Sequence, residues 1–381
     1  MATTTTTPAI TATTSAIKPA RKPPLPALTG IRTLLAFNIV LFHFTPPHLG
    51  PLRPFVENGF VFVNVFFLIS GYILAYNYAD RGATLVKREF WLARFSRLYP
   101  VYLLALLVSF EMLKLEWTAR SQVEFWKGLT LTPLLLQGWS PSLATFWNTV
   151  AWTLSCEVAF YAAFPWLIRL QWPRRPSRLI LMILVLWVID ILPATLYLIF
   201  NPDNLTEPVT RYTSTTLIRF LKYTPIPYAA TFLAGIALAR LQLSVTITQR
   251  RRVAIAAGAL VALGLFFYVA APHLPYLLKH GGLLMGLFAC LVFGLSGQHA
   301  IASVFAWPPL LLVGESSYCL YLLHFNVYLL IHNHHLTERL GVAALDPWIS
   351  YAALIVISVA VYKLVENPAR KVILGRFGRK A

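Results

Sequence analysis

GIRTLLAFNIVLFHF, residues 30–44, is the stretch whose reading decides the fold. It is an apolar run that carries Arg32 at one end and His43 at the other. An ionisable group inside a membrane span is costly, so it usually marks a functional position. Eleven helical steps turn roughly 1100° and climb about 16 Å, which places Arg32 and His43 on one helix face. The cation is then expected near the membrane surface and the imidazole deep in the bundle. Ala36 and Ile39 lie between them on that face, and this leaves the expectation that a slim chain could lie along it.

The rest of the chain agrees with a membrane solvent. Of 381 residues, 57% are hydrophobic and only 12% charged, with mean hydropathy +0.64. Soluble domains carry roughly 25% charged residues, so a large soluble globule is excluded. Apolar runs of spanning length fall at about 29–45, 57–78, 91–113, 144–169, 179–200, 226–242, 252–271, 276–297, 308–332 and 346–365. This predicts an all-α integral membrane protein with about ten transmembrane helices. The shorter run at about 128–137 is expected to be re-entrant or interfacial.

The net charge of +18 is scattered between the spans, which argues against nucleic acid and for basic loops on anionic lipid. Arg81, Lys87, Arg88, Arg169, Arg174, Arg175, Arg240 and Arg250–Arg252 fall in alternate loops, so both termini are expected to be cytoplasmic. Residues 1–28 are expected to be a disordered Thr/Pro-rich tail, 29–370 the transmembrane domain and 371–381 a basic tail. A cell-membrane (inner-membrane) protein with several passes follows. Cys156, Cys290 and Cys319 lie in apolar runs without metal-type spacing and are read as small buried hydrophobes.

Further residues could carry chemistry. Arg94 and Arg97 share a face if their segment is helical, and guanidinium groups bind phosphates bidentately. They could equally anchor a helix among lipid headgroups. Glu157 lies inside a span and needs a partner: it could orient His43, as a triad carboxylate does, or form a structural pair with an Arg or Tyr. His324 lies mid-span with Tyr321 one turn before it, and could bind an acceptor, polarise a carbonyl or simply pack. Asp190 is read as water-facing near its helix end. Glu366 and Pro368 are read as the stop of the last helix, and Ser70–Gly71 as a place where another helix approaches closely. The His332, His334 and His335 loop has no second ligand cluster, so no metal site is expected.

Taken together, these segments resemble the acyltransferase 3 family of multi-pass membrane proteins, which O-acylate carbohydrates and related acceptors. The Arg32-to-His43 spacing is similar to that family's arginine-x10-histidine motif. FFLISG (66–71), Arg94 to Arg97, WTLSCEVAFY (152–161), SYCLYLLH (317–324) and ENP (366–368) resemble its later blocks in order. Thr29 and Asn64 stand where family members commonly carry Asp. The resemblance implies acyl-CoA, with acetyl as the expected acyl group, as a co-substrate rather than a resident cofactor. It implies a carbohydrate-type acceptor and no nucleic acid. Membrane lipids are the surroundings.

In that reading Arg32, Arg94 and Arg97 bind the donor, and His43 is the general base supported by Glu157. His324 or Tyr161 contacts the acceptor or the oxyanion. A transporter or flippase with a buried Arg/His/Glu relay is the alternative from the residues alone.

Overall fold

The computed structural model describes residues 22–82 and 84–378, and it is helical, with no strand among those residues. Most of the expected amino-terminal tail and the last three residues of the basic tail lie outside the described residues. The first helix begins at Pro26, three residues earlier than the apolar run suggests, and the last continues to Phe377.

Eight helices among the described residues are long and apolar enough to cross a membrane: Pro26–His43, Gly59–Arg81, Lys87–Val108, Pro176–Phe200, Thr216–Ser244, Gln249–His273, Tyr276–Leu295 and Trp348–Phe377. Pro308–Glu315 and Ser317–Asn333, bent by 66° at their junction, supply a ninth if counted as one span. The expected tenth, 144–169, is not a span of that length. Its first part is a run of turns, and only Trp152–Leu167 is helical. Trp147 takes a positive φ of 66°, and Asn148 is fully buried, donating to Ser109 Oγ and Leu322 O. Irregular backbone at membrane depth survives only where protein satisfies its polar groups: here Val150 N–H donates to Asn148 Oδ1, and Pro141 O and Ala151 O accept from Arg219 Nε and Gln137 Nε2.

The helices that build the site are α1 (Pro26–His43), α2 (Phe62–Tyr78), α3 (Lys87–Val108), α4 (Trp152–Leu167), α5 (Pro176–Phe200), α6 (Thr216–Tyr223), α7 (Pro225–Ser244), α8 (Pro308–Glu315), α9 (Ser317–Asn333), α10 (Trp348–Val361) and α11 (Asn367–Phe377). Five of them, α1, α5, α7, α8 and α11, have Pro in the first turn, where the missing N–H has no intrahelical partner to lose. On α5, Leu181, Val188 and Ile199 are each at least 60% exposed, an apolar surface suited to lipid.

Small residues set the closest helix contacts. A Cβ on Gly71 would come within 2.1 Å of Phe232 O, and one on Gly235 within 2.2 Å of Leu68 O. Only glycine allows α2 and α7 to meet this closely, as the Ser70–Gly71 pair predicts. Likewise α1 abuts α8: a Cβ on Gly314 would come within 2.1 Å of Thr29 O, and Thr33 Oγ1 donates to Leu310 O at 2.6 Å.

Three expectations are corrected. Pro368 does not end the last helix, because a π-helical turn at Tyr362–Glu366 leads from α10 into α11, and Pro368 falls in the first turn of α11. Asp190 is not water-facing: it is 4% exposed and accepts from Thr231 Oγ1 at 2.6 Å. Cys290 is exposed, whereas Cys156 and Cys319 are buried.

Candidate active site

The arginine end is built first by helix register. Arg94 and Arg97 are three residues apart on α3, so they project from one face, and α1 brings Arg32 to the same cavity. The cavity encloses about 100 Å³ and is also lined by Ser70, Glu157, Tyr161 and Tyr321. Three guanidinium groups therefore face a space with one lining carboxylate. Glu157 interacts electrostatically with Arg97, Arg32 and Arg94. Arg97 also pairs with Glu366 Oε1 at 3.8 Å, and the π-helical turn is what directs this 3%-exposed carboxylate inward. Cys319 Sγ donates to its other oxygen at 3.3 Å.

Arg32 Nε and Arg94 Nε are buried and, among the described residues, have no hydrogen-bond partner. A buried, unpaired charged donor is costly, so the cavity has unused capacity for an anion. Tyr161 does not point to the histidines; its hydroxyl meets Ser70 Oγ at 3.0 Å inside this cavity.

The histidine end has a different construction. His43, the last residue of α1, lies 3.1 Å from His324 of α9, Nδ1 to Nε2. His43 Nδ1 is also 3.0 Å from Ile39 O, and His324 Nδ1 is 2.6 Å from Tyr321 O. A carbonyl oxygen only accepts, so these two contacts assign the proton to Nδ1 on both rings. In neutral rings the lone pair is then on Nε2. His324 Nε2 receives the shared His43 Nδ1–H, and His43 Nε2 is left with a free lone pair. Phe44 and Phe325 enclose the His43 ring, at centroid distances of 6.4 and 5.6 Å.

This arrangement differs from the expected one in three respects. Among the described residues no hydrogen bond or ion pair joins Glu157 to His43; its helix directs it to the arginines, and His324 is the partner of His43. With its only N–H donated to Tyr321 O, neutral His324 has none left for an oxyanion. Ala36 and Ile39, the face expected to admit a slim chain, are 0% and 1% exposed. The two ends are instead separated by aromatic rings. Phe66 and Tyr321 line the arginine cavity, and the Tyr321 ring is 5.8 Å from the His324 ring. Arg32 lies 5.8 Å from the Phe66 ring centre.

An acyltransferase-domain family profile matches residues 25–362, which takes in every one of these side chains except Glu366. The chain belongs to the acyltransferase 3 family. It is similar to Acyltransferase MdmB of Streptomyces mycarofaciens, 34% identical over 157 residues, covering 39% of this chain and 40% of that protein. It is also similar to peptidoglycan O-acetyltransferase OatA of Listeria monocytogenes, 22% identical over 386 residues, with 91% of this chain and 56% of the relative covered. A putative O-acetyltransferase of Staphylococcus aureus is likewise 22% identical, over 91% of this chain and 57% of its own length. The chain thus spans about half the length of the curated relatives it matches. No solved structure matches it. Family and helices together make this a multi-pass membrane protein of the acyltransferase 3 family.

Proposed function

We propose that this acyltransferase moves an acyl group, acetyl in the simplest case, from acyl-CoA to a hydroxyl of a carbohydrate-type acceptor. The observation that carries the reading is the pairing of an arginine cavity with unpartnered donors and a histidine whose Nε2 lone pair is free. CoA is anionic at its phosphates and reactive at the end of a thin arm. Arg32, Arg94 and Arg97 would hold anionic oxygens, with Glu157 and Glu366 fixing the guanidinium planes. The arginine end would face the cytoplasm, where acyl-CoA is found, with both termini on that side. Rotation of Phe66 and Tyr321 would open the way from this cavity to the histidines.

In the transfer, His43 Nε2 takes the proton of the acceptor hydroxyl as its oxygen attacks the thioester carbonyl. The tetrahedral intermediate collapses with cleavage of the C–S bond, and the His43 imidazolium returns the proton to the departing thiolate. His324 holds the His43 ring and its tautomer, the part a carboxylate plays in a triad.

The test is transfer of label from acetyl-CoA in membranes carrying the protein, with cell extract as the acceptor source. His43→Ala is expected to lose about 10²–10⁴-fold in transfer, the usual contribution of a general base, while CoA binding persists. Equal transfer by wild type and His43→Ala would overturn the reading.

A further inference from the structure

A second pocket opens beside His43, at the carboxyl end of α1 and away from the arginine cavity. It has a volume of about 360 Å³ and is lined by Phe42, Thr45, Glu57, Thr210, Arg211 and Tyr276. These residues come from four separate parts of the chain: the end of α1 and the turn after it, the short helix Arg53–Glu57, the 201–215 loop and the short helix Tyr276–His280. The Phe42 ring is shared between pocket and active site, since it stands 5.3 Å from the His43 ring.

Among the described residues Arg211 is the only cation lining this pocket. Its guanidinium stacks 4.3 Å over the Phe42 ring, and Nη1 is 3.4 Å from Phe42 O. The loop that carries it is tied down along its length. Asn201 pins Leu205 through both its amide oxygen and its amide nitrogen, and Asp203 accepts from Tyr197 Oη at 2.7 Å and from Thr215.

The strongest tie is Lys222 of α6. This lysine is 1% exposed and, among the described residues, has no carboxylate partner. Its ammonium instead donates to Arg211 O at 2.9 Å and to Thr213 O at 3.2 Å, and lies 5.4 Å from the Tyr276 ring. A buried ammonium without a counter-ion is costly and needs satisfied donors to persist. Here the loop itself accepts from two of the three donors, so Lys222 fixes Arg211 and lies beside Tyr276, two walls of one pocket.

We propose that this pocket is the acceptor subsite, with Arg211 as the group that selects a glycosyl acceptor and Lys222 as the residue that positions it. The inference rests on the acyltransfer reading above. A sugar ring has apolar C–H faces and a rim of hydroxyls. Phe42 and Tyr276 offer the apolar walls. Arg211 donates to hydroxyl oxygens, and Glu57, Thr45 and Thr210 accept from or donate to the others. The mixture of one cation, one carboxylate and two hydroxyls fits a neutral polyol better than an anion or a hydrocarbon. A hydroxyl of a ring so held lies next to Phe42, whose ring is 5.3 Å from that of His43.

The experiment uses the full chain in lipid nanodiscs and two neutral probes, 4-nitrophenyl hexopyranosides and 4-nitrophenethyl alcohol. Equilibrium dialysis reads binding, and labelled acetyl-CoA reads transfer. Wild type is expected to bind a hexoside in preference to the alcohol, and R211A to weaken that binding at least tenfold with CoA binding unchanged. R211K, which keeps charge but loses the planar fork, should fall between them. K222M should weaken hexoside binding without altering CoA binding. E57Q, on a separate exposed helix, provides a second variant if R211A does not fold, with a loss of about threefold. H43A should bind the hexoside as wild type does and transfer to it about 10²–10⁴-fold more slowly. Failure of wild type to bind any hexoside, or equal binding by wild type, R211A and E57Q, would overturn the proposal. Transfer at the wild-type rate in H43A would instead overturn the acyltransfer mechanism and leave the pocket to be judged by binding alone.

Discussion

The arginine cavity and the histidine pair are both polar sites buried in an apolar bundle, yet they treat hydrogen bonds in opposite ways. The cavity leaves Arg32 Nε and Arg94 Nε without partners and gathers three cations around one lining carboxylate. At the histidine pair every ring N–H has an acceptor: Ile39 O and His324 Nε2 for His43, and Tyr321 O for His324. An unsatisfied charged site is organised to receive charge, because only a ligand removes its cost. A satisfied site is organised to hold geometry, and the one atom it leaves bare, His43 Nε2, is the atom that can act as a base. Unpaired donors thus indicate binding, and a completed network with one free lone pair indicates chemistry.

The difference can be broken most sharply at His324. His324→Phe removes the acceptor for the His43 Nδ1–H while keeping an aromatic ring in place. Steady-state kinetics should show kcat falling about 10–100-fold, within the range of a general base put out of position, with the KM for acyl-CoA unchanged. A change in KM alone would mean that His324 belongs functionally with the arginines.

Arg94→Ala is the complementary change. It should weaken CoA binding about 10–30-fold, the loss of one charge-assisted hydrogen bond of about 1.5–2 kcal/mol, while the first-order transfer rate of bound donor is preserved. Arg94→Lys should restore only part of the affinity, since an ammonium does not reproduce the planar fork. Single-turnover measurements at saturating donor separate the two quantities.

Glu157→Gln gives the smallest effect and tests whether this carboxylate serves the arginines or His43. Removing it leaves three guanidinium groups less compensated, so the unliganded protein should melt lower by about 2–6 °C. Adding CoA should raise the melting temperature by more than it does in wild type, because the ligand now supplies the missing negative charge. A loss of kcat with no change in melting would restore the expected link between Glu157 and His43.

Most of the site residues are legible in the sequence, because ionisable groups within apolar runs are few and each must be explained. Arg32, His43, Arg94, Arg97, Glu157 and His324 are all recognisable in this way. Their partners are not. Glu157 and His324 are equally plausible neighbours of His43 from spacing alone, and only the packing of α9 against α1 selects His324. Arg211 and Lys222 are missed altogether, since they lie in and beside a polar loop, where cations are ordinary. A signal was present in Lys222 itself, a cation four residues after Ile218 and one after Leu221, which puts it on the apolar face of its helix.

The sequence by itself determined a helical membrane protein, the approximate position of most spans, the glycine contact at Gly71 and the arginine–histidine face of α1. These follow from local rules: hydropathy over a span's length, the 3.6-residue period and the cost of buried charge. The tertiary structure decided the rest. Residues 140–151 became turns rather than helix because Asn148 accepts from Val150 N–H within the segment while Arg219 and Gln137, outside it, donate to Pro141 O and Ala151 O. The last helix passed through Pro368 because a π-helical turn absorbs the break and directs Glu366 to Arg97. Hydrogen-bond partners distant in sequence fix which polar group meets which. That choice depends on how helices pack, and no local pattern encodes it.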